Sequence, residues 1–112
     1  MVNLINNTNM KNLSKKQIVA ICENVIKRVK NSNTPQYLDV CILTEIQNIT
    51  KLERYEIDIQ KYIPQFTLNN AVMVANAEPD CIDGTLWFNT NKESDKANRI
   101  MFMQWIKEQY QN

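Results

Sequence analysis

The sequence predicts a compact, mainly helical domain with one small β-hairpin, and three observations support this class. The chain has 112 residues, which suffices for one domain and is short for two. With 1 glycine and 3 prolines it lacks the frequent turn signals of an all-β sandwich. Hydrophobic residues make up 44%, enough to form a core. We therefore predict a flexible leader over residues 1–12 and a single domain over residues 13–112.

The first helix is predicted to begin directly after Ser14. Ser14 and Gln17 form an S-x-x-Q capping box, and Leu13 and Ile18 suit a hydrophobic staple across the same helix start. The apolar residues that follow share one helical face. These residues are Ile18, Ile21, Cys22, Val25, Ile26 and Val29. The Asn-Ser-Asn triplet at residues 31–33 then ends the helix.

The middle of the chain predicts two more helices. Pro35 suits the first position of the second helix, where its missing N–H is not needed. The apolar positions of that helix are Leu38, Cys41, Ile42, Ile46 and Ile49. Thr50 and Glu53 form a second candidate capping box, which would start a third helix that reaches Pro64. Residues 55–59 also alternate between apolar and charged, so a short strand there, and hence an α+β fold, is the alternative.

The last third of the chain predicts a short helix, a hairpin and a long helix. Thr67 is placed to cap a helix over residues 68–77. The Asp-Gly dipeptide at residues 83–84 is a strong turn signal, which places a hairpin at about residues 80–89. Two short strands alone are marginal, so this hairpin must pack on helices. The final helix begins between residues 91 and 94 and ends near residue 110.

The final helix holds the densest apolar cluster of the chain. One stripe consists of Phe102, Met103, Ile106 and Tyr110. A second stripe, at i, i+4 and i+8, consists of Ala97, Met101 and Trp105. Together they span about half of the helix circumference, more than an ordinary surface helix needs. Either both stripes are buried among other helices, or the second stripe faces a partner. Because Trp and Met are enriched at interfaces, the second stripe is the predicted partner-binding site.

Positive charge is concentrated in the first third of the chain and indicates an alternative function. A small nucleic-acid-binding regulator would use the basic residues Lys15, Lys16, Lys27, Arg28 and Lys30. However, the predicted helix over residues 68–77 and the hairpin after it contain no Lys or Arg. Since phosphate neutralisation supplies most non-specific affinity, specific nucleic-acid binding ranks below protein binding.

Several chemistries are disfavoured by the residues that are missing. The chain has 3 cysteines and no histidine, so it cannot complete the usual four Cys/His ligands of a structural zinc site. Without histidine it also lacks the commonest general base. We therefore predict no enzyme activity, no cofactor and no metal, with Cys22 and Cys41 buried and reduced. The sequence has no apolar run that could span a bilayer and no signal peptide at its start, so it predicts a cytoplasmic protein without membrane contact.

Four short motifs follow one another along the chain. They are Ile-Cys at residues 21–22, Tyr-Ile-Pro-x-Phe at residues 62–66, Leu-Trp-Phe at residues 86–88, and Arg-Ile-x-Phe-x-x-Trp-Ile at residues 99–106. This discontinuous pattern, over about half of the chain, resembles small uncharacterised proteins of phages and prophages. Such proteins often bind and disable a host protein, including defence nucleases. The resemblance implies a phage-derived inhibitor or regulator whose partner is a host protein; a homodimer is the other partner prediction.

Overall fold

The computed structural model describes residues 12–33, 37–75, 80–82, 85–87 and 93–111, and between residues 80 and 95 it describes the backbone alone. In these residues the fold is compact and mainly helical, as the sequence predicts. The helical elements are α1 (Lys15–Asn31), α2 (Leu38–Thr50), one 3₁₀ turn (Arg54–Glu56), α3 (Ile59–Tyr62), α4 (Leu68–Ala75) and α5 (Glu93–Tyr110).

The start of α1 is the predicted capping box. The Gln17 backbone N–H donates to Ser14 Oγ at 3.1 Å, and the Ser14 N–H donates to Gln17 Oε1 at 2.9 Å. All six predicted apolar residues of α1 are buried, and Leu13 packs against the same core. At the other end, the Ser32 N–H donates to the Val29 carbonyl at 3.4 Å. The first helix is therefore confirmed in its start, its end and its buried face.

The start of α2 differs from the prediction. The helix begins at Leu38, after Tyr37, which makes no side-chain capping bond. Pro35, the predicted first helical residue, lies outside the described residues. The buried face is nevertheless as expected: Leu38, Cys41, Ile42 and Ile46 are buried, and Ile49 is partly buried against the core.

The prediction that Thr50 caps the next helix is wrong. Thr50 is the last residue of α2, and its hydroxyl donates to the Ile46 carbonyl at 2.9 Å. The chain leaves the helix at Lys51, which adopts a left-handed conformation with φ of 64° and donates its N–H to the Gln47 carbonyl at 2.8 Å. Glycine usually fills this position, but this chain has 1 glycine in all and places a lysine there.

The predicted third helix is broken, and the alternative strand at residues 55–59 does not form. The 3₁₀ turn is closed by the Glu53 N–H, which donates to Glu56 Oε1 at 3.0 Å. A second start follows at once, because Asp58 Oδ1 accepts from the Gln60 N–H at 3.2 Å and opens α3. Two local caps so close together divide the segment into separate turns, which explains why neither a continuous helix nor a strand forms.

The helix after Pro64 is confirmed at its start. Thr67 Oγ1 accepts from the Asn70 N–H at 3.2 Å, as an N-terminal cap does. The helix that follows, α4, is described over Leu68–Ala75, and its predicted end at Ala77 lies outside the described residues. Residues 76–79 lie outside the described part of the chain.

Two short strands occupy the region of the predicted hairpin. They are β1 (Asp80–Ile82) and β2 (Thr85–Trp87), paired antiparallel with Cys81 opposite Leu86. Asp83 and Gly84, on which the prediction rests, are outside the described residues. Three paired residues are marginal without support from helices, and the side chains that would supply it are not described. A hairpin packed on the helices therefore stays a prediction, and the fold rests on its helices.

The core lies where α1, α2 and α5 meet. α1 packs most extensively on α5 and also contacts α2, while α4 packs on α5. Phe66, from the loop before α4, stacks on Phe102 of α5 with ring centroids 5.8 Å apart. This arrangement leaves one side of α1 facing solvent and gives α5 neighbours on more than one side.

Candidate functional site

The first stripe of α5 is core. Phe102, Met103 and Ile106 are fully buried. Tyr110 is partly buried, and its hydroxyl donates to Gln65 Oε1 at 2.5 Å. Burial raises the pKa of Tyr110. This stripe binds α5 to the rest of the molecule, as predicted.

The second stripe of α5 lies at the boundary between core and surface. Ala97 is exposed, and Met101 keeps 46% of its surface accessible. Trp105 is partly buried against the core, where its ring stacks on Phe102 with centroids 6.3 Å apart and planes 16° apart. The stripe is thus neither wholly buried nor wholly exposed: Trp105 presents one part to the core and another to solvent.

Further exposed apolar side chains lie on α4, which packs on α5. They are Leu68, Val72 and Met73, of which Met73 is 67% exposed. No residue of α4 is charged. We call the exposed residues of the two helices, together with Trp105, the α4–α5 surface: Leu68, Val72, Met73, Ala97, Met101 and Trp105. The α4 residues were missed from the sequence, although an uncharged helix with three apolar residues outside its buried face was the available signal.

The basic residues of α1 do not form one surface. Lys15, Lys16, Lys27 and Lys30 are all exposed. Arg28 instead donates from Nη2 to Glu45 Oε2 of α2 at 2.6 Å, so its charge is already compensated. At 100° per residue, Lys15 and Arg28 fall on opposite flanks of α1, whereas the other three share its outer face. The predicted nucleic-acid residues are therefore divided between separate sides of the helix.

A groove of about 420 Å³ opens between α1 and α2 beside this ion pair. It is lined by Asn24, Lys27, Arg28, Asn31 and Glu45. Glu45 is 7% exposed, and its second oxygen accepts from the Asn24 side-chain amide at 2.9 Å. Both carboxylate oxygens are therefore occupied, which holds Arg28 in one orientation at the edge of the groove.

The two cysteines whose side chains are described are both buried. Cys22 and Cys41 are buried, as predicted, and neither is in a disulfide; their reduced state stays a prediction. Burial raises the pKa of the Cys22 thiol to about 12, and burial likewise raises the pKa of Cys41. A thiol with a raised pKa carries little thiolate at neutral pH and is a poor nucleophile. The side chain of Cys81 lies outside the described part of the chain.

Two buried charged residues were not foreseen from the sequence. Arg99 of α5 is 1% exposed, and Asp39 in the first turn of α2 is 7% exposed. Burial raises the pKa of Asp39, while backbone N–H groups and the Arg54 guanidinium act in the opposite direction. Nothing in the spacing of these residues sets them apart from exposed charges, because tertiary packing alone encloses them.

The described residues show no cluster of three or more His, Cys, Asp or Glu side chains that could hold a metal ion. They also include no helix of the length and apolar character that a bilayer crossing requires. Comparison of the chain with protein-family models, curated proteins and solved structures finds no match.

Proposed function

We propose that this protein is a non-catalytic binding module whose α4–α5 surface docks a protein partner. The observation that carries the proposal is the exposure of Leu68, Val72, Met73 and Met101 on two helices packed against each other. We propose that these side chains form one apolar patch, as is typical of interaction sites rather than of plain solvated surface.

Trp105 supplies a rigid anchor for such an interface. Because its ring stacks on Phe102, it is held in place before any partner arrives. Rigid aromatic side chains at the centre of an interface account for a large share of binding energy. Met73 and Met101, by contrast, are flexible and can adapt to the shape of the partner.

We further propose that the partner is a host protein and that the chain is a phage-derived inhibitor or regulator that acts in the cytoplasm. This part of the proposal rests on the four motifs that resemble phage and prophage proteins. The raised pKa values of Cys22 and Cys41 support a non-catalytic role, because they disfavour the described thiols as nucleophiles.

Nucleic-acid binding through α1 ranks second. Only Lys16, Lys27 and Lys30 share the outer face of α1, which is a short basic track for a duplex, so duplex DNA affinity at physiological salt should be no tighter than about 10⁻⁴–10⁻⁶ M. Sequence-specific nanomolar binding in a gel-shift assay would reverse this ranking.

The proposal is tested by placing the same charge on two different helices. Ala97 on α5 and Ala20 on α1 are both exposed. Ala97→Lys adds a charge to the α4–α5 surface, and Ala20→Lys is the matched control. We expect affinity capture from host lysate to recover a protein with wild type and with Ala20→Lys, and to lose it with Ala97→Lys. Circular dichroism checks that each variant is folded.

The outcomes separate the candidate partners. A protein retained by all three baits, or lost only with Ala20→Lys, contradicts the proposal. Analytical ultracentrifugation of the purified chain tests the homodimer. A wild-type dimer that Ala97→Lys converts to monomer would assign the α4–α5 surface to self-association instead of a host protein.

A further inference from the structure

The groove between α1 and α2 is built only from polar side chains. Asn24, Lys27 or Arg28, and Asn31 follow the i, i+3/i+4, i+7 spacing along one ridge of α1, and Glu45 of α2 closes the other side. Glu45 is nearly buried and accepts from both Asn24 and Arg28. The groove therefore has a fixed wall, which distinguishes it from a set of mobile surface lysines.

The groove offers hydrogen-bond donors at the ends of side chains whose aliphatic stems also line it. Lys27, Arg28 and the two carboxamides present N–H groups, and no aromatic or aliphatic residue lines the groove. Its volume falls within the roughly 300–1,000 Å³ of small-molecule clefts and exceeds what a bare inorganic ion fills. A ligand that fits this lining carries a negative group for Lys27 and Arg28 and hydroxyl groups for Asn24 and Asn31.

We propose that this groove binds the phosphate group of a small, polar phosphate monoester through Lys27 and Arg28. The site lies apart from the α4–α5 surface and does not depend on the proposed function. Arg28 reaches the phosphate with N–H groups that its bond to Glu45 leaves available, since a guanidinium has five. Asn24 and Asn31 bind the polar remainder of the ligand.

The charge balance at the groove favours a monoester over a nucleic-acid backbone. The carboxyl end of α1 contributes a partial negative charge of about half an elementary unit, and Glu45 contributes a full one. The two cationic residues that line the groove, Lys27 and Arg28, leave a small positive surplus over these negative charges. A phosphate monoester concentrates about −1.5 to −2 charges in one group at pH 7. A backbone phosphodiester brings one charge for each phosphate and needs a longer basic track than this groove provides.

The test is a titration of ¹⁵N-labelled protein by NMR at constant ionic strength with three probes: glycerol 3-phosphate, inorganic phosphate and glycerol. We expect saturable shifts of the amides over residues 24–31 with glycerol 3-phosphate, weaker binding of inorganic phosphate and none of glycerol. Lys27→Gln should weaken glycerol 3-phosphate binding about tenfold, as loss of one charge-assisted contact does. Lys16→Gln, an exposed lysine of α1 outside the groove, should change it less than about twofold.

Other results would overturn the inference. Equal weakening by Lys27→Gln and Lys16→Gln would show diffuse attraction to α1 rather than a site. Absence of saturable shifts at residues 24–31 would show that the groove does not take phosphate. If a duplex oligonucleotide bound the same residues more tightly than glycerol 3-phosphate at equal phosphate concentration, the groove would belong to a nucleic-acid surface. The spectrum of each variant reports directly whether it is folded.

Discussion

α1 and α5 are the two longest helices described and pack against each other, yet they use their surfaces differently. α1 has one buried apolar face and one exposed polar face. α5 carries apolar residues over about half of its circumference, buries Arg99 and exposes Met101. The difference follows from their positions: one side of α1 faces solvent, whereas α5 contacts both α1 and α4. A helix with several neighbours has no single polar side, so its exposed residues lie at the edges of its buried faces.

The comparison is tested most strongly at the centre of the α5 core. Phe102 is fully buried and stacks on both Phe66 and Trp105. Phe102→Ala should therefore lower the free energy of unfolding by about 3–5 kcal/mol, the range for a buried aromatic residue. Urea denaturation measures the change. Met101→Ala, one residue away and exposed, is the control and should change it by less than about 0.5 kcal/mol. Equal effects would mean that α5 has no distinct core and surface.

Trp105 tests the boundary position. Because it is partly buried and stacked on one ring, Trp105→Ala should lower the free energy of unfolding by about 1–2 kcal/mol, less than Phe102→Ala. The chain has 2 tryptophans, so fluorescence quenching is measured in a Trp87→Phe background. Trp105 should be partly accessible to acrylamide. Complete shielding in a monomer would place the whole second stripe in the core and remove the anchor from the proposed interface.

The polar contacts of α1 provide a smaller and matched comparison. Glu45 of α2 is nearly buried and accepts hydrogen bonds from Arg28 and Asn24 of α1. Glu23 of α1 has a side chain that is 56% exposed, and its Oε2 lies 3.5 Å from Nζ of Lys107 on α5. Glu45→Gln should lower the free energy of unfolding by about 1 kcal/mol. This is less than a fully buried ion pair would contribute, because solvent screens the half-exposed Arg28. Glu23→Gln should cost less than about 0.5 kcal/mol. If thermal denaturation gave the same loss for both, burial of the Glu45 carboxylate would contribute nothing to packing of α1 on α2.

The smallest expected effect depends on pH. Burial raises the pKa of Asp39 in the folded state. Well below the unfolded pKa of about 3.9 the carboxyl is protonated in both states, so it adds no pH dependence there. As the pH rises through the folded pKa, the folded state must ionise at a cost, and the wild type should lose stability relative to Asp39→Asn. Urea denaturation at about pH 2.5 and about pH 7 measures this change. The difference in free energy of unfolding between the wild type and Asp39→Asn should change between the two pH values. If it stayed constant, or shifted in favour of the wild type at the higher pH, the raised pKa would be contradicted.

The sequence predicted a structural feature correctly where the interactions that produce the feature join residues close together in the chain. The Ser14 capping box, the Thr67 cap and the buried face of α1 depend on local hydrogen bonds and on a 3.6-residue period, both visible in the chain. The prediction failed around Thr50, where a side chain that caps one helix in isolation instead bonds back into the preceding turn. The Thr50 hydroxyl also accepts from the Leu52 N–H at 3.3 Å, and local sequence rules do not decide which backbone groups such a hydroxyl bonds.

The sequence by itself determined the helical class, the start of α1 and the burial of Phe102 and Ile106, because hydrophobic spacing permits few other arrangements. Only the tertiary structure decided that Trp105 lies at the edge of the core, that Arg28 bonds Glu45, and that Asp39 and Arg99 are enclosed. These outcomes depend on which residues of distant segments meet. The distance from Arg28 to Glu45 or from Phe66 to Phe102 is set by how whole helices pack, and that packing minimises the free energy of the entire core rather than of any one segment.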